Sequence, residues 1–392
     1  MRYFTHVYER ILAPRLSGNR RSVLLLGPRQ VGKSTLLASL APELRIDLSS
    51  LETFRHYVSD PGRLERELDA APAAIRTVFI DEVQRVPPLL DVVQSQVDRR
   101  PRRFRFLLSG SSARKLRRGH ANLLPGRVLI EYLHPLLACE LGGDFKLDRA
   151  LAHGTLPGIY AEPDPELRAR DLRSYTDAYL REEVQAEALV RDIGGYSRLL
   201  DLVAAASGRI INLLAMSGDA AVGYETARRY LDVLEDTLLL HRVPAWAGSD
   251  RASLVAHPKL LFFDLGVRNA LLRRPLDRPL ADERGLLLEH LVGLELQRRC
   301  GGIWPDARLL HFRTRRGAEV DFVLQRGREV WAIEVKASRS VAAGDTKGLS
   351  AFADRAGRPA RSIVVFLGPR RERVNESEAI PVREFIEELP TV

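Results

Sequence analysis

The sequence predicts an α/β protein: a parallel sheet carrying an anion-binding loop, then a helical region, then a second α/β unit. Three observations predict it. Residues 23–38 read as apolar strand, glycine-rich loop and helix. Apolar strands alternate with helical segments up to about residue 137, as a parallel sheet requires. Residues 318–336 form two alternating runs separated by a turn. At 392 residues the chain exceeds what one core usually supports, so more than one domain is expected.

The first strand, Val23 to Leu26, leads into Gly27-Pro28-Arg29-Gln30-Val31-Gly32-Lys33-Ser34 and then Thr35-Leu36-Leu37-Ala38. The pattern G-x-x-x-x-G-K-[ST] cradles phosphate for a physical reason. Gly27 and Gly32 permit backbone angles that other residues resist, so the loop can wrap an anion with its own N–H groups. The start of the following helix points at the same anion. Lys33 reaches the β- and γ-phosphates of ATP, and Ser34 offers a hydroxyl to Mg²⁺. Residues Gly27 to Thr35 are therefore the candidate nucleotide-binding set.

Thr77 to Ile80 is the next β-type run, and it ends in Asp81-Glu82. A buried strand of this kind delivers one carboxylate toward Mg²⁺ and a second toward the attacking water. Asp81 is assigned to the metal and Glu82 to water activation. An acidic turn after a core strand is the bland alternative, and the preceding phosphate loop weighs against it. A third run, Phe104 to Leu108, ends in Ser109-Gly110-Ser111-Ser112. Ser109 or Ser111 is a candidate sensor of the γ-phosphate; a serine-rich turn is the alternative.

The phrases GPRQVGKST, VFIDEVQRVP, FLLSGSS and LLPGRV resemble a large prokaryotic family of AAA-type ATPases. The resemblance continues through RRYLDVLEDTLLLHRV, PKLLFFDLGVRNALL, LLLEHLVGLEL and GAEVDFVL…IEVKAS, and so covers nearly the whole chain. It implies an oligomerising ATPase core in which an arginine of one subunit meets the γ-phosphate of the next. Arg127, in Pro125-Gly126-Arg127, is the candidate, with Arg114, Arg117 and Arg118 as rivals.

Composition is that of a globular protein, 45% hydrophobic and 28% charged. Sixty Lys plus Arg against 51 Asp plus Glu give a net charge of +9, with Arg far ahead of Lys. That balance suits a DNA partner; an arginine-rich codon bias produces the same excess. Two cysteines, Cys139 and Cys300, argue against a disulfide framework and for a reducing compartment. The start, Met1-Arg2-Tyr3-Phe4, lacks the apolar core of a signal peptide. No stretch approaches the roughly 20 uncharged apolar residues of a spanning helix. A cytoplasmic protein with no membrane partner is expected.

The expected organisation is an ATPase domain over 1–140, a lid-like helical segment over 141–195, a winged-helix-like domain over 196–250 and a C-terminal domain over 251–392. Leu141-Gly142-Gly143-Asp144 reads as a turn. Glu166 to about Val190 reads as helical, with Tyr175, Tyr179 and Leu180 as core packing. In residues 196–243, Ser197–Ala206 is one helix, Asn212 caps a second at Leu213–Met216, and Tyr224–Glu235 is a third. Thr237–Val243 is a candidate wing. In a helix-turn-helix the last helix enters the major groove, which makes Thr226, Arg228 and Arg229 the candidate DNA contacts. Packing the ATPase against its neighbour is the other reading of this region.

Pro258 to Leu265 reads as a strand and Leu286 to Arg298 as an amphipathic helix, with Leu287, Leu291, Leu294 and Glu295 at helical spacing. Ala318 to Leu324 is an alternating strand, Gln325 to Arg328 a hairpin turn, and Glu329 to Lys336 the returning strand. Glu334 and Lys336, two apart, point to the same side. Asp321 and Glu334 can share a divalent cation, and Lys336 can orient or activate a water. This is the D…E-x-K pattern of restriction-endonuclease-like nucleases, and Glu289 matches the extra acid of such folds. Mg²⁺ or Mn²⁺ suits an all-oxygen site of this kind. A fold can keep such a site and only bind. Arg313, Arg315, Arg316 and Lys347 suit a phosphate backbone, or are simply a solvated rim.

Two functional readings follow. The first is an ATP-hydrolysing, oligomeric ATPase acting on DNA, with a C-terminal domain that grips or nicks it. The second is a nucleotide-controlled switch that binds a protein partner in a defence or regulatory system, without motor activity. A motor needs Glu82 and Arg127 for turnover; a switch can work on nucleotide binding alone.

Overall fold

The computed structural model describes residues 7–111, 124, 126–180, 192–247, 254–300, 302–357 and 359–391. Two compact units emerge: residues 8–135 with 236–238, and residues 136–235 with 239–392. Arg114, Arg117, Arg118 and Ser112 lie outside the described residues.

The first unit is built on five parallel strands: β1 Ser22–Leu26, β2 Leu44–Asp47, β3 Thr77–Asp81, β4 Arg105–Gly110 and β5 Val128–Tyr132. Their order is β2-β3-β4-β1-β5. Central strands of such a sheet are covered on both faces, which is why they read as unbroken apolar runs. Every residue of β1 is buried. Register sets the chemistry: Leu25 lies beside Ser109, and Ile80 beside Leu108. The carboxyl ends of β1, β3 and β4 thus finish together. The helix Leu89–Arg99 buries Leu89, Leu90, Val92, Val93 and Gln96, a helical stripe against the sheet.

The second unit begins with short helices at Ala138–Leu141, Leu147–His153, Pro157–Ala161 and Pro165–Ser174, the last running into a π-helical turn at Tyr175–Leu180. Tyr175 is buried. The side chains of Tyr179 and Leu180, and residues 181–191, lie outside what is described. Three helices follow, at Ile193–Ala206, Leu213–Asp219 and Tyr224–Asp236. Asn212 caps the second by accepting from the Leu214 and Ala215 amides. The strand β6 Leu240–Val243 pairs antiparallel with β7 Lys259–Phe262.

A six-stranded mixed sheet completes this unit: β8 Ala307–Arg313, β9 Glu319–Arg326, β10 Glu329–Lys336, β11 Arg361–Phe366, β12 Glu372–Val374 and β13 Ser377–Pro381. The order is β12-β13-β11-β10-β9-β8. The β9–β10 turn is only Gly327-Arg328, with Gly327 at φ 56, tighter than the four-residue turn expected. Trp246, Phe312 and Phe352 meet edge to face, with ring centroids 5.2 to 6.0 Å apart, in a core over one part of the sheet.

The helix Arg284–Gln297 departs from the amphipathic expectation. It is buried on nearly every side, Leu287 and Leu288 and then His290 through Leu296 without a break. It packs on β7, β9, β10 and the helix Leu147–His153 together. Gly293 allows the approach, since a Cβ there would lie 2.5 Å from the Phe322 ring. Being enclosed, it must answer for its polar groups internally. Glu295 accepts from the Ala138 amide (2.9 Å) and from Arg299 (2.6 Å). Arg298 donates to the Leu136 carbonyl (3.0 Å), the Thr155 hydroxyl (3.0 Å) and the Phe263 carbonyl (2.8 Å). Asp264, fully buried, accepts from the Thr155 amide (2.8 Å) and the Val267 amide (3.1 Å). Burial pushes the Asp264 carboxyl up, and the Arg298 charge pulls it back down. Among the described residues, no helix is long and apolar enough to cross a membrane.

Removing one member of this network leaves the others buried and unpaired. Arg298→Met is therefore expected to cost about 3 kcal/mol of unfolding free energy, read as a lower urea midpoint. An unchanged midpoint would show that the network adds no net stability.

Candidate functional site

The phosphate loop is fixed by its surroundings. A Cβ on Gly27 would fall 2.2 Å from the Leu133 carbonyl oxygen, so only glycine fits. Gly32 sits at φ 91 and Gln30 at φ 62, two left-handed turns in three residues. Arg10 braces the loop, donating to the Val31 carbonyl (2.7 Å) and the His134 carbonyl (2.7 Å). Lys33 is buried, with its ammonium on the Gly27 and Pro28 carbonyls at 2.9 and 2.8 Å. Pro28 and Val31 are buried, Arg29 is half-buried and Thr35 is exposed.

Asp81 is the meeting point. Its Oδ1 accepts from the Ser34 hydroxyl at 2.9 Å and from the Ser109 hydroxyl. Ser109 Oγ in turn accepts from the Glu82 amide at 2.9 Å. Ser34 at the end of the loop, Asp81 of β3 and Ser109 of β4 thus meet, and the Glu82 amide joins them through Ser109, while Lys33 lies on the carbonyls of its own loop. Glu82 is left-handed, at φ 57 and ψ 46, a strained conformation for a non-glycine residue. Gln84 holds its carboxylate, donating from Nε2 to Glu82 Oε2 and to the Ser111 hydroxyl at 3.1 Å. Sequence reasoning missed Gln84 and Arg10. Gln84 was legible only as the residue two beyond the glutamate. Arg10 had no local signal at all.

Arg127 is engaged within its own unit, donating from Nε and one terminal nitrogen to the two Asp98 carboxylate oxygens at 2.6 and 2.8 Å. In the second unit, Arg228 and Arg229 are exposed on the helix Tyr224–Asp236, and Thr226 accepts from Arg229 at 3.2 Å. The opposite face, with Ala227, Tyr230, Leu231, Val233 and Leu234, is buried. Arg313, Arg315, Arg316 and Lys347 are exposed, and Arg313 lies 3.4 Å from Glu319.

The D…E-x-K residues lie on β9 and β10 as the pattern requires. Asp321 Oδ2 accepts from the Val335 amide at 2.8 Å, which locks it to the neighbouring strand. Lys336 donates to Glu334 Oε1 at 2.7 Å. Glu334 Oε2 is buried without a hydrogen-bond partner. Lys259, from β7, pairs with Glu289. No group of three or more His, Cys, Asp or Glu side chains among the described residues is close enough to hold a metal ion. The members of the Lys259–Glu289 pair respond differently. Burial works against the Lys259 charge, but Glu289 and Asp321 outweigh it and hold the ammonium above its ordinary range. Burial and the Asp321 charge push Glu289 up to about 7 in spite of Lys259. One cation between two acids leaves a negative charge over.

Burial first, and then the Asp321 charge, raise Glu334 from 4.5 to about 8. Between those values the folded state keeps a proton that the unfolded chain has released. The stability this gives is full below 4.5 and is lost as pH rises toward 8. His153, His241 and His311, lowered by burial from 6.5 to about 4, and His290, lowered to about 3, act in the opposite sense below 6.5. The acid's effect therefore stands clear of the histidines between about pH 6.5 and 8. Wild-type protein is expected to lose stability across that window, and Glu334→Gln to lose less, in denaturant titrations at both ends. Parallel losses would remove Glu334 as the cause.

Residues 19–142 match a family model described as an AAA domain. Residues 144–278 and 284–385 match two domains of unknown function, DUF8612 and DUF4143. Uncharacterised proteins of Mycobacterium bovis and Mycobacterium tuberculosis are each 28% identical over 326 residues, 80% of this chain and 70% of theirs. A STAND-type signal transduction ATPase with a tetratricopeptide repeat sensor, from Pyrococcus horikoshii, aligns at 12% identity and a TM-score of 0.27, over 76% of this chain. The chain spans 46% of the length of that structure. A Vibrio cholerae protein aligns at 12% identity and a TM-score of 0.21, over 94% of this chain and 96% of its own. The AAA-domain match supports a P-loop ATPase domain of the AAA type in residues 19–142.

Proposed function

We propose that this protein is an ATP-hydrolysing AAA-type ATPase that acts on DNA. The observation that carries the ATPase half is the convergence of Ser34, Asp81, Glu82 and Ser109 at one end of the parallel sheet, at the end of the loop that holds Lys33. The donor set fits a magnesium nucleotide. Ser34 Oγ and Asp81 Oδ1 are hard oxygens 2.9 Å apart, and the loop leaves no side chain at Gly27 or Gly32. Ser34 and Asp81 would hold Mg²⁺, which when bound neutralises charge on the phosphates. Lys33 would turn from its own loop's carbonyls to the β- and γ-phosphates. Glu82 would take the attacking water's proton once Gln84 releases it. Ser109 keeps Asp81 and the Glu82 backbone in register.

The DNA half rests on charge. The chain carries +9 overall, and Arg228 and Arg229 are exposed on one helix of a winged-helix-like region, with Thr226 half-buried beside them. Arg315, Arg316 and Lys347 add exposed cations in the restriction-endonuclease-like C-terminal region, suited to a phosphate backbone. On this reading the C-terminal part grips DNA, and Asp321, Glu334, Lys336 and Glu289 are its nuclease-like residues. A homo-oligomer would use Arg127 in trans, which requires it to leave Asp98.

ATP hydrolysis in Mg²⁺ should be stimulated by duplex, single-stranded or branched DNA. Lys33→Ala should abolish turnover in a folded protein. Glu82→Gln should keep nucleotide binding and lower kcat about 100-fold or more. Arg127→Ala should lower turnover of the assembled protein only. Turnover that survives Lys33→Ala would remove the ATPase assignment. Hydrolysis indifferent to every DNA would favour a nucleotide-controlled switch that binds a protein partner.

A further inference from the structure

Lys259 is the first residue of β7 and its side chain is 6% exposed. A lysine this deep is tolerated only where its charge is met on several sides. Four groups meet it. Glu289 Oε1 lies 2.5 Å from Nζ, and the Asp321 carbonyl oxygen 3.1 Å. Asp321 Oδ1 lies 3.6 Å away, and the Phe322 ring centroid 4.7 Å. Two of the three carboxylates assigned to a metal by the D…E-x-K resemblance therefore already face an ammonium. The third, Glu334, faces the ammonium of Lys336 at 2.7 Å.

The arrangement is braced from behind. Lys259 pairs in register with Val243 and bridges to Ile210, so its backbone is held on both sides. The Phe322 face covers its ammonium. A divalent cation asks for about six oxygen ligands at 2.0–2.6 Å. Here Asp321 has committed one oxygen to the Val335 amide, and Glu289 has committed one to Lys259. A metal entering between them would meet a fixed positive charge already in place.

We propose that the Lys259 ammonium is the resident cation of this acidic cluster, taking the position of a divalent metal, so that the cluster binds no metal and supports no metal-dependent cleavage. The cluster then serves as a brace, each of its acids met by an ammonium, between β7, the helix Arg284–Gln297 and β9–β10.

Titration of full-length, nucleotide-free protein with Mn²⁺, followed by calorimetry and by electron paramagnetic resonance, tests this. Wild type and Glu334→Gln should titrate alike. Lys259→Ala should gain one Mn²⁺ site that wild type lacks, with an unfolding temperature that rises on adding Mn²⁺. The gain should vanish in Lys259→Ala combined with Glu334→Gln. A Mn²⁺ ion bound by wild type and lost in Glu334→Gln would overturn the proposal, as would Mn²⁺-dependent nicking of plasmid DNA abolished by Glu334→Gln. A folded Lys259→Ala protein that takes up no Mn²⁺ overturns it too. Should Lys259→Ala fail to fold, Lys259→Met replaces it, and the wild-type comparison stands without either variant.

Discussion

The nucleotide end of this molecule depends on one carboxylate oxygen. Asp81 Oδ1 receives hydroxyls from the loop after β1 and from the end of β4, while its own strand lies between β2 and β4. Parallel pairing makes this possible, because strands that run the same way end at the same edge of the sheet. Any slip in register between β3 and β4 would move Ser109 away from both Asp81 and the Glu82 amide. The strained backbone of Glu82 is the local cost of presenting its side chain there. It is tolerated because its amide is bonded to Ser109 and its carboxylate to Gln84.

What the sequence made legible was chemistry written contiguously. Eight residues, from Gly27 to Ser34, contain the loop's conformational needs and its ligating groups together. Asp81-Glu82 needed only the apolar strand before it. The strand pair around Asp321, Glu334 and Lys336 followed from alternation, and the paired register agrees with it. The remainder was not legible because it is assembled from distant residues. Arg10 meets Val31 across 21 positions, and Lys259 meets Asp321 across 62. No local pattern encodes such meetings.

The helix Arg284–Gln297 shows the limit from another side. Glu289, His290 and Glu295 interrupt its leucines, and polar residues among leucines read as an amphipathic helix. Their surroundings are instead a strand lysine, the Phe262 carbonyl and a neighbouring arginine with the Ala138 amide. A polar residue in a helix announces water only if no partner waits inside the protein. Here each has one, and the pattern cannot tell the two cases apart.

The network around Asp264 and Arg298 has a bearing on how the chain can be divided. Family matches break at residues 142, 144, 278 and 284, which invites expression of the C-terminal match as a separate piece. Yet Leu136, Ala138 and Thr155 supply the groups that Arg298, Glu295 and Asp264 bond. A fragment starting at residue 284 would carry Glu295 and Arg298 into its interior without their correspondents. It would also lack Lys259, leaving Glu289 with no cation. The unit of inheritance seen in sequence and the unit of folding are therefore different objects in this protein. The seam between them runs through a buried, hydrogen-bonded interior.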